Sequence, residues 1–172
     1  MTSNRVSILI VDDEPINLDI ICAHLEDENY ELVRANNGHE AWSKLEEDPA
    51  RYDAIVLDRM MPDMDGMQLL NNIKDSDELE HVPVIMQTAK AASSDVLAGL
   101  KAGASYYLTK PYEGEILKSV IRGAVNGRLH EKSLLESLSE GRKIFDLMTF
   151  GRFRIHNLHQ CNLVATQVAH LC

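Results

Sequence analysis

The chain alternates short, mostly apolar runs with stretches in which apolar residues recur every three or four positions. The runs are Val6–Val11, Tyr30–Ala35, Ala54–Asp58, Pro83–Thr88 and the shorter Tyr106–Leu108. An apolar run of this length, bounded by turn residues, reads as a buried strand. Between the runs lie helical spacings: Leu18, Ile21 and Leu25; Ala41, Trp42 and Leu45; Leu69, Leu70 and Ile73; Val96, Leu97 and Leu100; and Ile116, Leu117, Val120 and Ile121. Each set puts an apolar stripe on one side of a helix. The junctions carry matching punctuation. Asp13 is placed to cap the first helix, with Pro15 in its first turn. Asn36-Asn37-Gly38 turns into the second helix. Met61-Pro62 and Asp65-Gly66 end the third strand. Ser93 or Ser94 caps the fourth helix, Ala102-Gly103-Ala104 closes it, and Glu113 opens the fifth.

Strict strand–helix alternation, five times over, predicts a parallel sheet with helices on both faces. Right-handed crossovers then give the strand order 2-1-3-4-5, a doubly wound α/β fold. That order reverses between strands 1 and 3, and the crevice at their C-terminal ends is where such a sheet holds ligands. Asp12 and Asp13 end strand 1, and Asp58 ends strand 3. Three carboxylates are therefore expected to converge on one point.

Clustered carboxylates raise one another's pKa unless a cation compensates them. Oxygen ligands from Asp, with a backbone carbonyl, suit Mg²⁺. Thr88 ends strand 4 and Lys110 follows strand 5, so both are directed to the same crevice. Three carboxylates, one ammonium and one Mg²⁺ sum to zero charge, and such a site can accept a phosphoryl group. Lys110 would hold its oxygens, and the Thr88 hydroxyl would donate to one of them. Asp58 is the natural nucleophile, because an ionised carboxylate needs no base. Taken singly these residues say less. Thr88 alone is a strand-end hydroxyl, Lys110 a surface lysine, Tyr107 core. Met60, Met61, Met64 and Met67 read as packing, and Trp42 as a helix–sheet contact.

Together, Asp12-Asp13, Asp58 with Met61-Pro62 and Asp65-Gly66, Thr88-Ala89, and Tyr107 ahead of Lys110-Pro111 resemble a receiver domain of two-component response regulators. The resemblance covers about residues 5–125. It implies a flavodoxin-like fold and a phosphoacceptor role for Asp58. It implies Mg²⁺ held by Asp13, Asp58 and the Met60 carbonyl, with Asp12 acting through water. It further implies Thr88 and Lys110 as phosphoryl-binding groups and Thr88 and Tyr107 as the switch. Met60 and Lys90 stand where the family tunes phosphoryl lifetime. Arg59 and Met60 replace the more usual small or polar residues after the acceptor. The implied partner is a sensor histidine kinase or a histidine phosphotransfer protein. Beyond its self-phosphorylation and dephosphorylation, a receiver domain is not an enzyme. Two other users of this fold fit less well. A haloacid dehalogenase-type hydrolase wants an Asp at position 60, and a flavodoxin's phosphate loop would not be Asp12-Asp13-Glu14. The alternative within the family is a receiver-like assembly module that is never phosphorylated.

Charge changes the picture beyond residue 125. The whole chain carries −10, which disfavours a general affinity for nucleic acid or anionic membrane. Residues 1–125 hold 11 Lys/Arg against 23 Asp/Glu, whereas residues 126–172 hold 6 against 4. A boundary near residue 126 follows. Residues 126–149 read as a helical linker whose apolar side, with Leu129, Leu134, Leu135, Leu138, Ile144, Phe145 and Met148, suits pairing of two copies. The heptad seam is imperfect, because it includes Glu131 and Arg142. Gly151–His156 alternates like a strand and Leu158 onward like a helix. Together, residues 150–172 resemble weakly the opening of a GHKL-type ATPase domain, which would make the chain part of a longer protein. His156, His159 and Cys161 match no standard metal spacing. No winged-helix or helix-turn-helix pattern fits there. Cys22, Cys161 and Cys172 lack disulfide spacing, Met1–Arg5 is polar, and no run spans a membrane. A reduced, cytoplasmic protein is expected.

Overall fold

In the computed structural model, which describes residues 5–89 and 93–168, β3 (Ala54–Asp58) is buried at every position. It lies between β1 (Val6–Val11) and β4 (Val84–Thr88), with β2 (Tyr30–Ala35) and β5 (Tyr106–Thr109) on the edges. All pairings are parallel, and the order is β2-β1-β3-β4-β5. This is the expected flavodoxin-like arrangement. The connecting helices are α1 (Pro15–Leu25), α2 (Gly38–Glu47), α3 (Gly66–Lys74) and α4 (Ser93–Lys101), and α5 (Gly114–Val168) follows β5.

Strand alternation divides the core into two layers. Leu9, Val11, Ile55, Leu57, Val84 and Met86 face one way and pack with Ala41, Leu45, Leu69, Leu70 and Ile73 of α2 and α3. Ile8, Ile10, Ala54, Val56 and Ile85 face the other way and pack with Leu18, Ile21 and Leu25 of α1 and Leu117 and Ile121 of α5. Burying a Leu or Ile side chain stabilises by about 1.5–3 kcal/mol, so these central strands carry most of the fold. Trp42, Met64 and Met67 pack at the border of the first layer and Met61 is buried in it, while Met60 is 65% exposed.

Among the caps of α1, α2 and α3, that of α1 departs from its sequence signal. Asn37 caps α2, and Asp65 with Gln68 forms a capping box on α3. At α1 the cap position is Glu14, not Asp13, and no side chain of its own caps it. The Glu14 N–H donates instead to Asp12 Oδ1 at 3.0 Å. The buried Asp12 carboxylate, two residues back, satisfies that donor in place of Asp13.

The chain divides into two units, Met1–Leu129 and His130–Cys172. In the second unit the described backbone is helical through Val168. The strand expected at Gly151–His156 is therefore corrected to helix, which also removes the strand that the GHKL likeness requires. No proline follows Pro111 to break a helix. A single Gly costs only about 1 kcal/mol there, and a lone strand without a partner has no hydrogen-bond ladder. Leu171 and Cys172, and the side chains of Ile144, Phe145, Met148, His156, His159 and Cys161, lie outside the described residues. Among the described residues, no helix is long and apolar enough to cross a membrane.

Candidate functional site

Parallel pairing aligns the strand ends before any side chain is considered. Val11 is in register with Leu57, so Asp12 and Asp58 are the next residues on adjacent strands. Neighbouring strands lie about 4.8 Å apart. Both residues continue the face of Ile10 and Val56, as does Lys110, two residues beyond Leu108. The sheet thus places two acids and one base at one edge, on one side.

Their contacts are short. Lys110 Nζ donates to Asp58 Oδ1 at 2.6 Å and to Asp12 Oδ2 at 2.8 Å. Asp58 Oδ2 accepts from the Met60 N–H at 2.7 Å. Asp12 Oδ1 also accepts from the Asn17 side-chain amide at 2.9 Å. Asp12 is 1% exposed and Asp58 7%. Burial raises the Asp58 pKa, Lys110 opposes it, and the balance stays upward. Burial pulls Lys110 down, but Asp12 and Asp58 together outweigh it and hold the ammonium charged above its ordinary value.

The expected meeting of three carboxylates is modified here. Two of them meet on one ammonium, and among the described residues no group of three or more His, Cys, Asp or Glu is arranged to hold a metal. Lys110 occupies the midpoint because an ammonium between two buried acids removes their mutual repulsion. Asp13, the residue after Asp12 in the chain, is partly exposed.

Thr88 and Tyr107 belong to the other layer. Thr88 continues the face of Met86 and is buried, and its carbonyl accepts from the Lys110 N–H at 2.7 Å. Tyr107 packs against the same layer. Its hydroxyl accepts from Arg59 Nη1 at 3.1 Å. Lys90 lies outside the described residues.

The turn after β3 depends on Gly66. A Cβ there would stand 2.3 Å from the Asp58 carbonyl oxygen. The Gly66 N–H donates to the Arg59 carbonyl at 3.0 Å, and the Arg59 N–H to the Gln87 carbonyl at 2.9 Å. Three residues escaped the sequence reading. Asn17 orients Asp12, and its only signal was an amide in the first turn of α1. Tyr112, whose hydroxyl is pushed up to about 12 by burial, lines a groove of about 200 Å³ beside Lys110 with Asn17, Ile20, Ile21, His24 and Pro111. Gln87 is fully buried at the position paired with Asp58, with no sequence signal for what it does.

Residues 8–122 match the model of the response regulator receiver domain family. The chain is 33% identical over 168 residues to the transcriptional regulatory protein ResD of Bacillus subtilis, covering 97% of this chain and 66% of that protein. It is 34% identical over 149 residues to the transcriptional regulatory protein TrcR of Mycobacterium tuberculosis, covering 87% and 55%. The chain thus spans less than two thirds of these curated relatives. A putative response regulator from Chloroflexus aurantiacus superposes with a TM-score of 0.67 at 30% identity, covering 71% of this chain and 98% of that one. A CheY-like receiver domain protein from Methanospirillum hungatei superposes with the same TM-score and identity, covering 74% and 98%.

Proposed function

We propose that this chain, which belongs to the response regulator receiver domain family, is a phosphorylation switch whose acceptor is Asp58. The observation that carries this reading is the Asp58 carboxylate itself. It is nearly buried at the end of the central strand, with one oxygen 2.6 Å from Lys110 Nζ and the other on the Met60 N–H. In the reaction an Asp58 oxygen attacks the phosphorus of a phosphohistidine on a sensor kinase or phosphotransfer protein. The new O–P bond forms as the P–N bond breaks. The electron pair leaves on an imidazole that is protonated at its other nitrogen and so departs neutral. The groove beside Lys110, with exposed Ile16 and Ile20 nearby, is where the partner docks.

Lys110 exchanges its contact with Asp58 for the phosphoryl oxygens, and the Met60 N–H stays on the acyl oxygen. The Thr88 side chain, which continues the other layer in the unmodified protein, turns its hydroxyl to the phosphoryl group, and Tyr107 moves into the space it leaves. Asp12, Asp13, Asp58 and the Met60 carbonyl would offer a metal ion hard oxygens only, with no sulfur or imidazole among them. That set fits Mg²⁺, which when bound neutralises charge on the incoming phosphoryl group. The Asn17 and Glu14 donors hold Asp12 in place for it. Lys90 and Met60 tune how long the phosphoryl group lasts.

Acetyl phosphate with Mg²⁺ should add one phosphoryl group, and Asp58→Asn should abolish the addition. Labelling that persists in Asp58→Asn, or proceeds equally in EDTA, overturns the reading. Output runs through the C-terminal helix. Leu134, Leu135 and Leu138 are exposed on it, and a second copy of that helix covers them to give a homodimer. Light scattering that finds a monomer at every concentration, with and without beryllofluoride, removes the dimer.

A further inference from the structure

The acceptor and the aromatic Tyr107 lie on opposite sides of the sheet. Asp58 continues the face of Val56, whereas Arg59, the next residue, continues the face of Leu57. Arg59 is thus the side chain through which the acceptor's own backbone reaches the other layer. Its guanidinium makes two contacts there. Nη1 donates to the Tyr107 hydroxyl of β5 at 3.1 Å, and Nη2 donates to Asp95 Oδ1 in the first turn of α4 at 3.0 Å. The Tyr107 ring lies against the same helix. A Cβ on Gly99 would stand 2.7 Å from Tyr107 Cε2, so glycine at this position lets ring and helix touch. Arg59, Tyr107 and Asp95 form one clasp across β3, β5 and α4. A planar fork with two fixed donors is suited to joining two elements in one geometry, which an ammonium does less well.

We propose that this clasp holds α4 and Tyr107 in the arrangement belonging to unmodified Asp58, so that Arg59 sets how readily the switch turns over. The inference rests on Asp58 being the acceptor. Its physical basis is that the Arg59 backbone is pinned on both sides, its N–H on the Gln87 carbonyl and its carbonyl on the Gly66 N–H. Asp58 cannot gain a phosphoryl group and surrender Lys110 without loading that pinned peptide. The load emerges on the far face through the guanidinium. A contact made only in the unmodified state lowers the apparent affinity for anything that favours the modified one.

The test uses the whole chain and two readouts. In the absence of any phosphoryl mimic, amide exchange in α4 should quicken about fivefold in Arg59→Ala and in Asp95→Ala. Beryllofluoride with Mg²⁺ should bind about fivefold more tightly to both variants than to wild type. The double variant should match either single one, because both remove the same contact. Arg59→Lys should fall between wild type and Arg59→Ala. Tyr107→Phe, which keeps the ring, should quicken α4 exchange less than Arg59→Ala does. Unchanged exchange, or beryllofluoride affinity that is equal or weaker in Arg59→Ala, overturns the clasp. A wild type that ignores beryllofluoride while the exchange difference persists overturns the acceptor reading of Asp58 and leaves the clasp standing.

Discussion

Two apolar stretches of this chain meet opposite fates. Ala54–Asp58 is buried at all five positions, in register with β1 on one side and β4 on the other. Leu134, Leu135 and Leu138 are as apolar, yet are 53%, 53% and 70% exposed on a helix. Composition does not separate them. Long-range pairing does: a strand between two others hides both faces, whereas a helix in its own unit hides only what a neighbour covers. The contrast teaches where the chain's stability resides.

Substitutions sharpen the contrast in descending order. Leu57→Ala empties a fully buried position between two strands and should cost about 4 kcal/mol in urea unfolding followed by circular dichroism. Gly66→Ala drives a methyl into the Asp58 carbonyl and should cost about 3 kcal/mol in the same assay, displacing the acceptor peptide as well. A variant as stable as wild type would show that the turn after β3 yields more easily than the contact implies.

Lys110→Ala leaves Asp12 and Asp58 facing each other without a counter-ion. In a metal-free buffer at pH 7 it should cost about 2 kcal/mol, less than a fully buried pair because Lys110 is partly exposed. The loss should shrink on acidification. The folded-state pKa of Asp58 lies above its unfolded value, so the folded protein binds the extra proton first. Charged Asp58 therefore costs stability above its folded pKa, and that cost is relieved as the pH falls through it toward the unfolded value. Denaturant midpoints of Lys110→Ala and wild type at several pH values check this. A gap that widens as the pH falls contradicts it.

Two smaller effects finish the comparison. Asp65→Ala removes the capping box of α3 and should cost about 1 kcal/mol. Leu138→Ala, on the exposed helix, should change unfolding of the receiver domain by less than about 0.5 kcal/mol. A larger loss there would mean that the tail leucines stabilise the sheet, and the two stretches would not differ as described.

Much of this was legible beforehand, for reasons that differ from residue to residue. Strand 2 is Tyr30–Ala35 in the sequence and in the structure alike, since Tyr30, Leu32 and Val33 form a short β-prone segment bounded by turn residues. The order β2-β1-β3-β4-β5 follows from alternation and handedness, which need no side-chain detail. Asp12, Asp58 and Lys110 were legible as neighbours because each stands just beyond a strand end, and parallel strands end together. Gly151–His156 misled because alternation over six residues also fits a helix when no partner strand is present. Leu97 and Leu100 carry helical spacing, yet α4 leaves both exposed and packs Gly99 against Tyr107 instead.

The sequence by itself determined the α/β architecture, the strand order and which polar residues share the β1–β3 edge. Apolar period and chain handedness are local properties that admit few global solutions. Only the tertiary structure decided that Lys110 stands between Asp12 and Asp58 where three carboxylates were expected to meet. Only it decided that Asp12, not Asp13, receives the α1 N-terminus, and that Arg59 crosses to Tyr107 and Asp95. Those are choices among partners within a few ångströms of one another. They are settled by side-chain reach, burial and the balance of charge at one point in space, none of which has a period in the chain.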